Sequence, residues 1–278
     1  MSQVPHYVLN DGLKIPQVGL GTYKLLGDDG FSSIVSGIQS GYRLIDSAHR
    51  YDNEEEVGRA VRECGVPRED LLITTKLAGD AHGFDETMMA FDTSARLLGL
   101  DVVDLYLIHW PNPSVNRFVD AWQAMIELRD EGRIRSIGVC NFTPEFLYRL
   151  RDETSVVPSI NQVELHPYFA QAELRAVHAE LGIRTQSWSP IGRAGELLSE
   201  APIVAAAEAH GVTSSQVILR WHIQLGSIPL PKSGDVGRQR ENFDVFGFEL
   251  SESEMTAIGS LERGRLRAEF DPNTHEEY

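Results

Sequence analysis

The sequence predicts an α/β protein, a (β/α)8 TIM barrel with an N-terminal β-hairpin at the barrel bottom and a short C-terminal loop. Three observations point there. Eight short apolar, β-branched runs recur along the chain. Stretches of helical period separate most of them. The runs are apolar at consecutive positions, as parallel strands covered on both faces are. The 278 residues suffice for such a barrel, which takes about 250, whereas the rival open doubly wound sheet needs fewer strands. No linker or break in composition divides the chain. It reads as one domain over 1–278, with the barrel at about 6–262 and a tail at 263–278.

The elements follow in order. Tyr7-Val8-Leu9 and Lys14-Ile15 flank Asn10-Asp11-Gly12, a hairpin signal. The strand candidates are 18–21, 43–46, 71–76, 103–109, 136–139, 159–162, 183–188 and 227–230. Asn53 followed by Glu54, Glu55 and Glu56 predicts a capped helix start with acids in its first turn, and Gly65 follows its end. Further helices are expected at 85–98, 117–131, 144–153, 171–181 and 201–210. Four of these five stop at glycine, at Gly99, Gly132, Gly182 and Gly211. The last three are expected at 214–225, 236–245 and 252–261. The tail begins basic with Arg263, Arg265 and Arg267 and ends acidic, with no periodicity.

Charge narrows the function. Lys and Arg number 25 against 41 Asp and Glu, a net −16. Such a surface lacks the basic footprint of a nucleic-acid binder and does not suit an anionic membrane. Cys64 and Cys140 have no CxxC spacing, which suggests a reducing compartment. The first 15 residues hold one base, Lys14, and no apolar signal-peptide core, and no run approaches the ~18 apolar residues of a membrane helix. The expectation is a cytoplasmic protein. Gly19-Leu20-Gly21-Thr22-Tyr23-Lys24 lacks the third glycine of a dinucleotide fingerprint, and Walker A, GxSxG and HExxH are absent. The nine histidines form no ligand cluster, so no metal is implied.

In a barrel of this kind chemistry sits on the loops after the strand C-termini. Those positions hold Gly21-Thr22-Tyr23, Asp46, Lys76, His109, Asn141, Gln162, Trp188 and Lys232. Tyr51, five residues beyond Asp46, can lean back over the mouth. A tyrosine hydroxyl ionises near pH ~10, and a neighbouring Lys76 ammonium would favour the phenolate. Asp46 would keep Lys76 charged. A tuned general acid follows, with a neutral His109 able to donate a hydrogen bond to a carbonyl. In the alternative, Asp46–Lys76 is a structural ion pair, Tyr51 a core aromatic and His109 a satisfied buried histidine.

These residues sit in longer motifs. Gly41-Tyr42-Arg43-Leu44-Ile45-Asp46-Ser47-Ala48 with Tyr51, Asn53-Glu54 and Gly58 resembles the signature of the aldo-keto reductase superfamily. The likeness continues through Leu107-Ile108-His109-Trp110-Pro111, Ser136-Ile137-Gly138-Val139-Cys140-Asn141 and Asn161-Gln162-Val163-Glu164-Leu165-His166-Pro167 to Ile228-Pro229-Leu230-Pro231-Lys232-Ser233. In overall pattern the chain is most similar to the bacterial 2,5-diketo-D-gluconate reductases.

The resemblance implies an NADPH-dependent reductase of an aldehyde or ketone, whose substrate could be a keto-sugar acid such as 2,5-diketo-D-gluconate or a small dicarbonyl. It makes Tyr51 the proton donor, tuned by Lys76 and Asp46, with His109 orienting the carbonyl. Asn141 and Gln162 would hold the nicotinamide carboxamide, Trp188 would stack on the ring, and Gly21, Thr22 and Asp46 would flank its ribose. Ser189, Ile191 and Gly192 would line the pyrophosphate. Lys232, Ser233, Arg238, Glu241 and Asn242 would hold the adenosine end and its 2′-phosphate. Residues 232–240 fit that use, with three bases against Asp235.

Departures from the family pattern concern specificity. Ala78 stands where relatives usually carry Trp, which widens the substrate pocket. Cys140 replaces a common Ser before Asn141 and is a poorer donor. Asp235 replaces a base, so its charge would repel a 2′-phosphate and some NADH use is expected beside NADPH. Tyr23, His49 and Trp110 are expected around the substrate, with an exposed loop position the equal alternative for His49. The partner is then a small carbonyl compound, and a monomer is expected. Two other functions fit parts of the pattern: a barrel aldolase forming a Schiff base on Lys76, and a non-catalytic NADPH-binding redox sensor.

Overall fold

The structure is a computed structural model that describes residues 4–265 and 268–278. Arg267, part of the expected basic start of the tail, lies outside the described residues. The chain opens with the hairpin, β1 (His6–Val8) against β2 (Lys14–Pro16), antiparallel with Tyr7 opposite Ile15. Eight parallel strands follow: β3 (Leu20–Gly21), β4 (Leu44–Asp46), β5 (Leu72–Leu77), β6 (Val103–Ile108), β7 (Ile134–Cys140), β8 (Ile160–Glu164), β9 (Arg184–Trp188) and β10 (Ile228–Pro229). They pair strictly in sequence order, β3 to β10. The seam is closed by Gly19 N–H donating to Pro229 O at 3.1 Å and Gly21 N–H to Pro231 O at 3.1 Å. Bonding there runs one way, because proline has no N–H to return.

Side-chain parity explains what ends up inside. Along β6, Leu105 and Leu107 join one buried cluster, while Tyr106 and Ile108 join another. The first cluster is the barrel interior, in which Leu44, Leu72, Ile160 and Ile228 meet Leu9, Leu13 and Ile15 of the hairpin region. The hairpin therefore plugs the bottom. The second cluster lies between the strands and the surrounding helices, with Trp122 and Trp221 among its largest members. Because successive side chains alternate, Asp46, Lys76 and Gln162 share the parity of Leu44, Leu72 and Ile160. Polar groups thus crown the apolar interior.

The surrounding helices are α1 (Gly27–Ser40), α2 (Glu54–Glu63), α3 (Phe84–Leu98), α4 (Phe118–Asp130), α5 (Pro144–Thr154), α6 (Ala172–Leu181), α7 (Ala201–His210), α8 (Ser214–Gln224), α9 (Val236–Phe243) and α10 (Glu252–Gly259). All nine expected helices are present. α1 was not anticipated, since three glycines and four serines dilute its helical signal. Two of its glycines have a packing cause: a Cβ at Gly30 would lie 2.3 Å from the Leu25 carbonyl carbon, and one at Gly37 2.5 Å from Leu20 Cδ2. Asn53 does not cap α2 through its side chain. Its amide instead donates to Thr22 O at 2.8 Å and Leu25 O at 3.1 Å, and accepts from Ser47 Oγ at 2.7 Å. It ties the β3 and β4 loops together under the mouth. Among the described residues, no helix is long and apolar enough to cross a membrane, and both cysteines are buried and free.

His178 and His222 are buried, and desolvation pushes each down to about 3. Both are neutral in the fold, whereas the unfolded chain takes up their protons near pH 6.5. The stability they contribute is complete above that pH and is lost as pH falls from 6.5 towards 3. Urea midpoints should therefore fall steadily from pH 7 to pH 4, and His178→Gln should flatten part of that slope. A wild-type midpoint constant down to pH 4 would contradict this account.

Candidate active site

The deepest polar feature is an ion pair. Lys76 Nζ, with its side chain fully buried, lies 2.8 Å from Asp46 Oδ2. It also donates to Ser47 O at 2.6 Å and to Tyr51 Oη at 3.4 Å. All three ammonium donors thus have acceptors. The other Asp46 oxygen accepts from Gln162 Nε2 at 2.8 Å, and the same nitrogen reaches Gln186 Oε1 at 3.1 Å. Burial opposes the ammonium, but Asp46 outweighs it with help from Tyr51, and Lys76 is held protonated above the ordinary lysine range. For Tyr51 the balance differs from the sequence expectation. Desolvation raises its hydroxyl more than Lys76 lowers it, and it is pushed up to about 12. Tyr51 is thus a phenol at neutral pH, with a cation beside it to receive a phenolate.

Local structure positions these groups. Asp46 ends β4, and Tyr51 sits on a short 3-10 turn, His49–Tyr51, that folds back over it. The ring of Tyr51 stands edge-on to His109, centroids 5.8 Å apart, and to Tyr23, centroids 5.1 Å apart. His109 follows β6, and its carbonyl accepts from Asn141 Nδ2 at 3.1 Å. Trp188 Nε1 donates to Asn141 Oδ1 at 2.8 Å. Asn141 and Ser189, each just past a strand end, hold positive φ of 62° and 49°, a strained backbone of the kind that gathers at functional sites.

A cavity of about 1010 Å³ covers this end of the barrel. Tyr51, His109, Asp46, Tyr23 and Trp110 line it, as do Gly21, Thr22, Asn141, Gln162 and Trp188. Ser189 and Ile191 line it too, together with Lys232, Ser233, Arg238, Glu241 and Asn242. Neither Lys232 nor Arg238 forms an ion pair with a described residue, and Arg238 Nε makes a 3.4 Å hydrogen bond to Ser233 Oγ. Asp235, expected to repel a phosphate, caps α9 by accepting from Arg238 N–H at 2.8 Å.

Five candidates stand back from the cavity wall, the fully buried Lys76 among them. Cys140 is buried in the barrel interior, its thiol raised by desolvation. Ala78 is buried, and Gly192 packs its backbone against Leu197. His49 Nδ1 meets Glu54 Oε2 at 3.0 Å with its side chain 42% exposed. Conversely, Arg50, Arg193, Phe270, His275 and Glu277 line the cavity although the sequence did not single them out. Nothing local marks the last three, because only the path of the tail brings them there. Among the described residues, no group of His, Cys, Asp and Glu could hold a metal.

A parallel barrel with an Asp–Lys–Tyr–His cluster under a long cavity defines a class, and comparison with known proteins agrees. Residues 35–263 match the model of the aldo/keto reductase family. The chain belongs to that family and is an NAD(P)H-dependent oxidoreductase. It is 56% identical over 277 residues to the 2,5-diketo-D-gluconic acid reductase B of Corynebacterium sp. (strain SHS752001), covering 100% of both chains. Among solved structures it is similar to a variant of Gox0644 in complex with NADPH, with TM-score 0.93 and 44% identity over 98% of this chain and 99% of that one. It is also similar to a Bombyx mori aldo-keto reductase in complex with NADP, with TM-score 0.92 and 34% identity over 100% of this chain and 99% of that one.

Removing one partner of the buried pair isolates its energetics. Lys76→Met should lower unfolding stability by about 3–5 kcal/mol, because Asp46 is left buried without a counter-charge. Adding Asp46→Asn should recover much of that loss in urea denaturation. Simple additivity of the two losses would show that the pair is not coupled.

Proposed function

We propose that this protein reduces an aldehyde or ketone to its alcohol with NADPH, with Tyr51 as the proton donor. The observation that carries the reading is the shared location of two features. Asp46, Tyr51 and His109, with the buried Lys76 bonded to the first two, line the same cavity as Lys232 and Arg238, cations without ion-pair partners among the described residues. A cavity near 1010 Å³ is at the upper limit of ordinary ligand sites, room for an extended dinucleotide beside a small substrate.

When bound, NADPH supplies the hydride for the carbonyl carbon. The residues around it bind and orient. Lys232, Arg238 and Ser233 offer donors to the 2′-phosphate, with Glu241 and Asn242 beside the adenosine. Ser189 and Ile191 flank the pyrophosphate, with Gly192 shaping the turn behind them. Asn141, Gln162 and Trp188 face the nicotinamide, and Gly21, Thr22 and Asp46 its ribose. Tyr51 donates its proton to the substrate oxygen as negative charge grows there, and His109 polarises the same oxygen. Lys76 stabilises the phenolate that remains, and Asp46 keeps Lys76 charged. The capping role of Asp235 leaves Arg238 free to favour NADPH. The substrate belongs to the class suggested by the relative's name, a keto-sugar acid, or is a small dicarbonyl. Because the Lys76 nitrogen is fully engaged and held protonated, a Schiff base on it is disfavoured.

NADPH oxidation with a panel of dicarbonyls, keto-sugar acids and aldehydes tests the reading. Tyr51→Phe should lower kcat by about 10²–10⁴ while NADPH still quenches tryptophan fluorescence. No turnover of any carbonyl, or retention of most activity in Tyr51→Phe, would sink the assignment. Arg238→Leu should raise KM for NADPH about tenfold or more, the worth of one charged hydrogen bond, and leave KM for NADH within twofold. Equal effects on both cofactors would remove Arg238 from the phosphate site.

A further inference from the structure

The tail brings a carboxylate onto the histidine of the active site. Past α10, Arg265 Nη1 lies 3.3 Å from buried Glu164 and donates to Phe270 O at 2.9 Å. Phe270, His275 and Glu277 line the cavity, with Phe270 stacked on Trp110 at 5.8 Å and the His275 ring 4.2 Å from the same indole. Asn112 holds the tip from both sides. Its Nδ2 donates to Glu277 O at 2.9 Å, and its Oδ1 accepts from Glu277 N–H at 3.0 Å.

The carboxylate of Glu277 is seated as firmly. Oε2 accepts from Gly79 N–H at 2.9 Å, and Oε1 stands 2.7 Å from His109 Nδ1. Gly79 must be glycine for this seat, because a Cβ there would come within 2.3 Å of Asn112 Nδ2 and 2.4 Å of Glu277 O. Burial pushes the Glu277 carboxyl up, but His109 and the Gly79 amide pull it further down, and the group stays below the ordinary carboxylate range. It is therefore an anion at neutral pH.

A bare Nδ1 lone pair 2.7 Å from an anionic oxygen is repulsive. Oε1 lies off the N–H direction, since Nδ1 is buried without an aligned hydrogen bond, and the two come into line only when the ring or the carboxylate turns. Catalytic hydrogen bonds commonly tighten in this way when ligand binds. The proton thus belongs on Nδ1, and the nitrogen left for the cavity is Nε2. A neutral ring in that tautomer shows the cavity only a lone pair. It can donate to a carbonyl oxygen solely as imidazolium.

We propose that Glu277 is a positioning residue that holds His109 in its Nδ1-protonated form, so that the substrate carbonyl is polarised by a cationic histidine. This rests on the carbonyl-reduction reading above, and replaces the neutral donor expected from the sequence. The gain is in hydrogen-bond strength, since a charged donor is about twice as strong as a neutral one. A neighbouring carboxylate fixing the tautomer of a working histidine follows the general logic of such pairs.

Glu277→Gln tests it, because the amide keeps the shape of the side chain and removes its charge. A merely structural tail would leave the chemistry intact in this variant. Kinetics with NADPH and any carbonyl the wild type turns over should show kcat lowered about tenfold and KM for NADPH within twofold. In ¹⁵N-histidine NMR, with His109 assigned by its loss in His109→Asn, wild type should show a protonated Nδ1. Glu277→Gln should show a population protonated only at Nε2. A kcat within twofold of wild type, or an unchanged His109 signal, overturns the proposal. Absence of any carbonyl turnover by wild type would instead count against the function, and the NMR would still decide the tautomer.

Discussion

The buried pair of Lys76 and Asp46 is the constraint around which the upper half of the barrel is arranged. Placing two charges inside the buried interior of the barrel costs several kcal/mol per ion before any attraction is counted. The structure offsets this only by giving every polar atom a partner: Ser47 O and Tyr51 Oη for the ammonium, Gln162 for the second carboxylate oxygen. Gln186 then follows, because the Gln162 amide needs a second acceptor. An apolar pair of equal volume would serve folding as well or better. The retention of charge here therefore points to chemistry, and Tyr51 is where that charge is felt.

How much of this was legible depended on range. Their place at the C-terminal ends of apolar runs put Asp46, Lys76 and Gln162 at one mouth, because where a strand stops is written locally. Glycines after the helices marked most of their ends. α1 escaped notice because its glycines serve contacts such as that of Gly37 with Leu20, which no window of sequence records. Asn53 was read as a side-chain cap because that is the local use of an asparagine, whereas its amide bridges two loops. His49 and Ala78 sit in the expected loops, yet one turns to Glu54 and the other is buried behind the wall. The sign for Tyr51 was misjudged for a related reason. A neighbouring cation is visible in a motif, but the depth of burial that opposes it is a property of the assembled barrel.

The tail is the extreme case of range. Glu277 lies in a segment without periodicity, and its partners Gly79, His109 and Asn112 come from two other loops. Its seat depends on the missing side chain at Gly79 and on both hydrogen-bonding ends of the Asn112 amide. Each of these is unremarkable alone. Only their convergence gives an anion a fixed place beside His109, and a fixed anion changes what a histidine can offer.

Net charge and site charge are separate questions, and the cavity shows why. The chain carries −16 overall, yet Lys232 and Arg238 in the cavity lining have no ion-pair partners among the described residues, and the nearby Asp235 accepts from the Arg238 backbone at the start of α9. Around Tyr51 the opposite holds: Glu277 and Asp46 are acidic, but each is bound to a cationic or potentially cationic partner. Long-range repulsion from surface acids is screened over about 8–10 Å in physiological salt, whereas contacts inside a poorly solvated cavity are not. A phosphate-bearing cofactor can thus be held by a strongly acidic protein, provided that its few basic residues are left unpaired where the phosphate lies.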